Sequence, residues 1–163
     1  LESMTSVTRE AYQDISRSIM DLRTPLSQTG LRRTLREYVE QFSQRTGMTC
    51  HFEGHRGSAA VLPPDAEVQL IRIVQEALAN VKKHAPGAEV WLEVEASDRE
   101  VRVEVRDDGT GFDPASIAPS GRFGLQTMRE RAESVGGNVL IESRPGAGTR
   151  VEITIPVEGV KAS

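Results

Sequence analysis

The chain has 163 residues, a length that suits one domain with a single core. Its 20 basic and 24 acidic residues give a net charge of −4, which argues against nonspecific nucleic-acid binding because that depends on neutralising phosphates. The single cysteine, Cys50, excludes an internal disulfide framework and a multi-cysteine zinc site, and it fits a reducing, cytoplasmic location. No apolar run reaches the length of a membrane span, and the start LESMTSVTRE is not a signal peptide.

Two amphipathic helices are predicted at the start of the chain. The first covers residues 6–23, and Pro25 ends it, since the residue before a proline is disfavoured in a helix. Its apolar stripe is Ala11, Ile15, Ile19 and Leu22. The second is LRRTLREYVEQFSQRTG, with Gly47 as its C-terminal stop. Because the chain opens on Leu1, we expect it to be a piece of a longer protein.

The rest of the chain mixes strands and helices without regular βαβ alternation. A strand, MTCHFEG, precedes a helix that runs from PPDAEV to Pro86. The strands EVWLEVEA and VRVEVRD follow, then a loop at 109–123 and the helix GLQTMRERAESVGG, closed by two glycines. NVLIES and TRVEITIPV are the last strands, joined by the turn RPGAG. This order predicts an α+β sandwich with helices on one face of a mixed, mostly antiparallel sheet.

The segment QEALANVKKHA carries a compact polar face on its predicted helix. At about 100° per residue, Glu76, Asn80, Lys83 and His84 fall within roughly a quarter turn or a little more. The opposite side is apolar, with Ile71, Val74, Leu78, Val81 and Ala85. The helical wheel alone favours an ordinary solvated face. Asparagine is unusual inside a helix, however, and a side-chain carbonyl directed at a hard cation would explain it.

Three glycine-rich turns accompany that helix. In VRDDGTGFD, Asp107 ends a strand and Gly109 and Gly111 follow. In SGRFGLQTMRERA, Gly121 and Gly124 border a loop, and we expect the helix to begin directly after Gly124, with free N–H groups that attract phosphate. PGAGTRVEI adds a third turn. Each of these is a common turn when taken alone, and neither a Walker A loop nor G-x-G-x-x-G is present.

Taken in order, EALANVKKHA, DDGTGF, GRFGLQTMRERA and GAGTRVEI resemble the N, G1, G2 and final glycine boxes of sensor histidine kinases from two-component systems. These kinases carry the Bergerat nucleotide-binding fold of the GHKL ATPase superfamily. The form GLQTMRERA is similar to that of the NarX/DesK-type subgroup. The resemblance covers about residues 30–157 and implies a catalytic ATP-binding domain.

The resemblance implies roles around the phosphates of a bound ATP. Asn80 would coordinate the Mg²⁺ that bridges the phosphates, and Glu76 would act beside the transferred phosphoryl group as a base or a water-polarising group. Lys83 and His84 would contact phosphate. Residues 112–123 would form a lid over the nucleotide.

It also implies a base pocket and the hinges of that lid. Asp107 would take the amino group of adenine, and Thr149 would lie at the pocket floor. The remaining residues implied at the nucleotide are Gly109, Gly111, Gly121, Gly124 and Leu125, with the lid hinged near Gly121 and Gly124.

The acceptor histidine of such a kinase is not recognisable here. His51, His55 and His84 are followed by Phe, Arg and Ala, whereas the family motif has Asp or Glu after the histidine. Residues 1–24 resemble the second helix of a dimerisation and phosphotransfer bundle, and 25–163 the catalytic domain. We therefore expect the acceptor upstream, no autophosphorylation by this chain alone, a homodimer through the bundle, and a response regulator as partner. The alternative is a non-catalytic or serine-directed GHKL regulatory module.

Overall fold

The computed structural model describes residues 30–55 and 61–157, which form a five-stranded sheet and three α-helices. The helix predicted at 6–23, and with it the bundle segment 1–24, lies outside the described residues. The elements in chain order are α1 (Leu31–Thr46), β1 (Cys50–Gly54), α2 (Pro64–His84), β2 (Val90–Ala96), β3 (Glu100–Asp107), a 3₁₀ turn (Pro114–Ser116), α3 (Pro119–Glu133), β4 (Asn138–Ser143) and β5 (Thr149–Pro156).

The sheet has the mixed, mostly antiparallel character that the sequence predicts. Its strand order is β1-β2-β3-β5-β4. Strands β1 and β2 are parallel, because α2 carries the chain back across the sheet between them. The other three pairs are antiparallel, and the strands that follow each other directly in the chain, β2 with β3 and β4 with β5, form hairpins.

The core lies between the helices and the inner face of the sheet. Alternate residues of β2, β3 and β5 are buried on this face. They are Val90, Leu92, Val94, Val101, Val103, Val105, Val151, Ile153 and Ile155. Helix α2 packs onto them through the predicted apolar stripe, and α1 adds Leu35, Val39 and Phe42. Helix α3 adds Met128 and Ala132, so all three described α-helices cover the same face.

The outer face of the sheet is charged. Glu104 and Glu152 lie directly opposite each other on β3 and β5, an arrangement that destabilises a strand pair unless a cation intervenes. Arg150 supplies that cation, with Nε 2.8 Å from Glu104 and Nη2 bonded to Glu152. On the neighbouring strands, His51 stacks on Trp91 at 5.3 Å, and Arg106 lies 4.7 Å from the Trp91 ring.

One boundary prediction is wrong. Helix α3 begins at Pro119 and not after Gly124, so Gly121 and Gly124 lie inside its first two turns. Proline suits the first position of a helix, and glycine inside a helix costs only about 1 kcal/mol relative to alanine. The N–H of Gly124 is thus within the helical hydrogen-bonding pattern, and the predicted free helix end at Gly124 does not exist in this structure.

Glycine substitutions test the close packing of the turns. Gly111 has a φ of +63°, and a Cβ there would lie 2.0 Å from the Arg144 carbonyl oxygen. Gly146 has a similar φ of +81°, but no atom lies within 4 Å of its Cβ position. We expect Gly146→Ala to lower the free energy of unfolding by about 1 kcal/mol through backbone strain alone, and Gly111→Ala by about 3 kcal/mol or more.

Urea unfolding followed by far-UV circular dichroism measures both losses. Gly87→Ala is the control, since Gly87 has open space around its Cβ position and no positive φ. Equal losses for Gly111→Ala and Gly146→Ala would show that the two turns are not packed as described.

Candidate functional site

The polar face of α2 lies beneath α3. Glu76 and Asn80 are half-buried, whereas Lys83 and His84 are exposed. A Cβ on Gly124 of α3 would lie 2.7 Å from Glu76 Oε1 and 4.0 Å from Asn80 Nδ2. The two helices therefore meet at a glycine directly over these side chains. This excludes the ordinary solvated face that the helical wheel alone favours for Glu76 and Asn80.

Charged neighbours act on the carboxyl of Glu76. Burial raises its pKa, and the positive charges of Arg131 and Lys83 partly oppose that rise. Arg131 comes from α3, and its Nη1 donates to Gln69 Oε1 at 3.2 Å. Gln69 and Glu76 are seven residues apart and share one face of α2. The sequence did not single out Arg131, because its position depends on how α3 crosses α2.

A second polar group lies at the end of the inner face of the sheet. Asp107, Thr149 and Ser143 occupy neighbouring positions on β3, β5 and β4. Asp107 is 6% exposed, and its Oδ1 accepts the Gly109 N–H at 2.8 Å. Burial raises the pKa of this carboxyl, and hydrogen bonds from the backbone of Gly109 and Thr149 counteract part of the rise.

The glycine turns join these two groups. A Cβ on Gly109 would lie 2.4 Å from the Ala85 Cβ at the end of α2. A Cβ on Gly148 would lie 2.0 Å from the carbonyl oxygen of Asp107. The loop after β3 and the turn before β5 thus pack backbone to backbone, beside the C-terminal end of α2.

The structure brings together most, but not all, of the residues predicted for the site. Gly124 contacts the face of α2, and Thr149 lies opposite Asp107. Gly121 instead has Ile117 as its nearest neighbour, and Leu125 is partly buried against the core. Ser143 was not predicted as a site residue. The only signal for it in the sequence is the turn length of RPGAG, which sets the register of Ser143 against Thr149.

The oxygen donors here suit a cation that takes few protein ligands. Within residues 30–55 and 61–157, no three His, Cys, Asp or Glu side chains form a group that could hold a metal ion. Glu76 and Asn80 offer one carboxylate and one amide oxygen, and Mg²⁺ is commonly held by one or two protein oxygens plus phosphate and water. In the same ranges, no helix combines the length and apolarity that crossing a membrane requires.

Comparison with known protein families identifies the family to which this chain belongs. Residues 65–159 match the family described as histidine kinase-, DNA gyrase B-, and HSP90-like ATPase. The chain belongs to this ATPase family. The matched region begins in the first turn of α2 and ends just past β5, so it contains every motif of the site.

Individual relatives include a histidine-protein kinase and a sensor protein. The chain is 34% identical to the signal transduction histidine-protein kinase/phosphatase DegS of Brevibacillus brevis, over 96% of this chain and 40% of the relative. It is 27% identical to the nitrate/nitrite sensor protein NarX of Escherichia coli, over 94% of this chain and 25% of NarX. The chain therefore spans well under half the length of these relatives. Its predicted kinship with sensor histidine kinases is confirmed.

A solved structure shares the fold. The histidine kinase domain of the Erythrobacter litoralis EL346 blue-light activated histidine kinase superposes with a TM-score of 0.67 and 22% identity. The match covers 83% of this chain and 70% of that domain. At this identity the likeness establishes the fold alone, and it agrees with the predicted α+β ATPase sandwich.

Burial of Asp107 predicts a gain in stability when its charge is removed. Because folding raises the pKa of this carboxyl, ionised Asp107 destabilises the fold at neutral pH, and this penalty vanishes below the unfolded pKa of about 3.9. We expect Asp107→Asn to raise the free energy of unfolding at pH 7 by on the order of 1 kcal/mol. The gain should disappear near pH 3.

Asp113→Asn is the matched control for denaturant unfolding at both pH values. Asp113 is exposed, and its Oδ1 likewise accepts the backbone N–H of the residue two positions later, Ala115, at 3.0 Å. A destabilised Asp107→Asn at pH 7 would contradict the prediction.

Proposed function

We propose that this domain binds Mg-ATP between α2, α3 and the polar end of the sheet, and transfers the γ-phosphoryl group to a histidine upstream of it. The observation that carries the proposal is the meeting of Glu76 and Asn80 with α3 at Gly124, while Asp107 and the glycine turns lie beside the C-terminal end of the same helix. Phosphoryl transfer needs mainly positioning and charge neutralisation, which these groups supply.

Asp107 is the proposed recognition group for adenine. A buried carboxylate with one oxygen held by the Gly109 N–H is oriented to accept from an amino group. Gly109 and Gly111 form the wall beside it, and their missing Cβ atoms let this wall pack closely against Ala85 and the Arg144 carbonyl. Thr149, next to Asp107 in the sheet, completes the pocket floor.

Asn80 and the end of α2 are the proposed phosphate side. The amide oxygen of Asn80 would hold Mg²⁺, which when bound neutralises charge on the phosphates. Lys83 and His84 are exposed in the last turn of α2, where they are free to contact phosphate oxygens. Leu125 packs partly against the core and positions the second turn of α3.

Glu76 is the proposed base. The nitrogen of the acceptor imidazole attacks the γ-phosphorus, the bond to the bridging oxygen breaks, and ADP leaves. Glu76 polarises the imidazole by accepting its N–H hydrogen bond. Arg131 and Lys83 support the ionised form of Glu76, which burial otherwise disfavours.

Residues 112–123 are proposed as the lid of the site, with the hinge near Gly121 and Gly124. In the 3₁₀ turn and the first turn of α3 almost every side chain is exposed, and Phe123 is 74% exposed. A segment with so few buried contacts opens at low cost. Opening would separate α3 from Glu76 and expose the face of α2.

The proposed partners follow from the position of the acceptor. His51 stacks on Trp91 on the outer face, away from the site, and His84 lies in the phosphate-binding turn. We therefore infer that the acceptor histidine lies on an upstream helical bundle, which also forms the homodimer. We further infer a cytoplasmic location for this domain and a response regulator as the final phosphoryl acceptor.

Nucleotide binding is the first test. Mg-ATP at 100 times its Kd should stabilise the wild type by about 2.7 kcal/mol in thermal unfolding. Asn80→Ala should remove the Mg²⁺-dependent part of this stabilisation, and Asp107→Ala should abolish nucleotide binding. Asn138→Ala is the control, since Asn138 is an exposed residue at the start of β4. An unchanged affinity for Mg-ATP in both site variants would contradict the proposal.

Phosphoryl transfer is the second test, using radiolabelled ATP and a histidine-bearing bundle added in trans. We expect acid-labile label on the bundle and none on this chain alone. Glu76→Gln should lower the transfer rate about 100-fold or more while nucleotide binding persists, as expected for loss of a general base. Glu133→Gln, at the exposed end of α3, should have no effect.

The pH profile sharpens this test. Because burial raises the pKa of Glu76, the wild-type rate should begin to fall, as the pH is lowered, at a pH above the ordinary range of a glutamate. Glu76→Gln should lose this dependence and keep only the fall caused by protonation of the acceptor imidazole, whose ordinary pKa is about 6.5. Acid-stable label on serine would instead support a serine-directed module, and no transfer at all would support a non-catalytic one.

A further inference from the structure

The Ser143 hydroxyl makes three hydrogen-bond contacts at the base end of the proposed site, the end where Asp107 lies. It is the last residue of β4 and lies opposite Thr149 of β5. Its Oγ accepts the Phe112 backbone N–H at 2.9 Å and donates to the Gly148 carbonyl oxygen at 2.9 Å. The same Oγ lies 2.9 Å from the Thr149 hydroxyl oxygen.

Counting protons fixes the direction of the last of these contacts. A serine hydroxyl has one proton and two lone pairs. The carbonyl of Gly148 has no proton, so it must receive the only one that Ser143 has. The hydrogen bond between the two hydroxyls is therefore donated by Thr149, whose own proton is thereby committed. Towards the pocket, Thr149 has only lone pairs left.

The two backbone partners of Ser143 are held firmly, so this pattern cannot easily reverse. Phe112 follows Gly111, whose backbone packs against the carbonyl of Arg144, and Gly148 packs against the backbone of Asp107. Turning the Ser143 hydroxyl away would leave the Gly148 carbonyl unpaired in a partly buried position, which is unfavourable.

We propose that Ser143 is a positioning residue that makes Thr149 an obligate acceptor, so that the pocket selects purines with an amino group at C6 over purines with a carbonyl group at C6. The inference rests on the proposed nucleotide site. Asp107 and Thr149 lie side by side on β3 and β5. Both then offer only acceptors, which suits the amino group of adenine and opposes the carbonyl oxygen of hypoxanthine or guanine.

The test compares dissociation constants for Mg-ATP and Mg-ITP by titration calorimetry on the full chain. In Ser143→Ala the Thr149 proton is released and can bond the hypoxanthine carbonyl. We expect the ITP-to-ATP ratio of dissociation constants to fall about tenfold, the scale of one mismatched hydrogen bond. Ser143→Thr keeps the hydroxyl and should retain the wild-type ratio.

Two further variants separate this effect from a purely structural one. Thr149→Val should lower the ratio by itself, and adding Ser143→Ala to it should cause no further fall. Ser43→Ala is the matched control, because Ser43 also donates to a carbonyl five residues later, that of Met48 at 2.7 Å, far from the site. Its ratio should equal that of the wild type.

The outcomes are distinct. Equal weakening of both nucleotides in Ser143→Ala would make Ser143 a scaffold residue and overturn this inference alone. If Ser143→Ala does not fold, the other two variants decide. An unchanged ITP-to-ATP ratio in Thr149→Val overturns the inference. A lowered ratio in Thr149→Val, together with a wild-type ratio in Ser143→Thr, supports it. A wild type that binds neither nucleotide would overturn the proposed function, and this inference with it.

Discussion

One apolar stripe on α2 holds this helix against the sheet, and the position of the site depends on that contact. The fully buried residues of this helix include Leu70, Ile73, Val74 and Leu78. They fix both the distance of the helix from the sheet and its rotation about its own axis. Because the helical period is 3.6 residues, the same rotation directs Glu76 and Asn80 away from the sheet and towards α3. The core therefore sets the geometry of the chemical groups, and a shift in its packing would move both of them together.

The inner face of the sheet changes from apolar to polar within a single row of opposed residues. Across the strands that row reads Cys50, Val90, Asp107, Thr149 and Ser143. Ionised carboxylates are unfavourable in such a place, yet burial is also what makes a carboxylate a strong and selective acceptor. The raised pKa of Asp107 follows from this place at the margin of the core, and it is consistent with the proposed binding role.

The sequence allows most of the fold to be predicted, since its signals are local. Alternating valines define β2 and β3, and Gly47 ends α1 in the left-handed conformation with φ +72°. The start of α3 was missed because a segment rich in Gly, Pro and Ser reads as a loop, although Pro119 suits the first turn of a helix. Ser143 and Arg131 were missed for another reason. Their partners, Thr149 and Gln69, are set by strand register and helix crossing, which no local pattern encodes.

The two ends of the proposed nucleotide site, the base end at Asp107 and the phosphate end at Asn80, differ in how firmly they are held. At the base end, Gly111 and Gly148 let two turns pack backbone to backbone, and the Ser143 hydroxyl ties both turns to β4. At the phosphate end, the cover over Glu76 is the start of α3, whose exposed side chains contribute little burial. A rigid base pocket can select a ligand by matching donors to acceptors, because its groups cannot turn to suit a wrong base. A weakly held cover can then move to admit the phosphates while the base end keeps its own backbone and hydroxyl contacts.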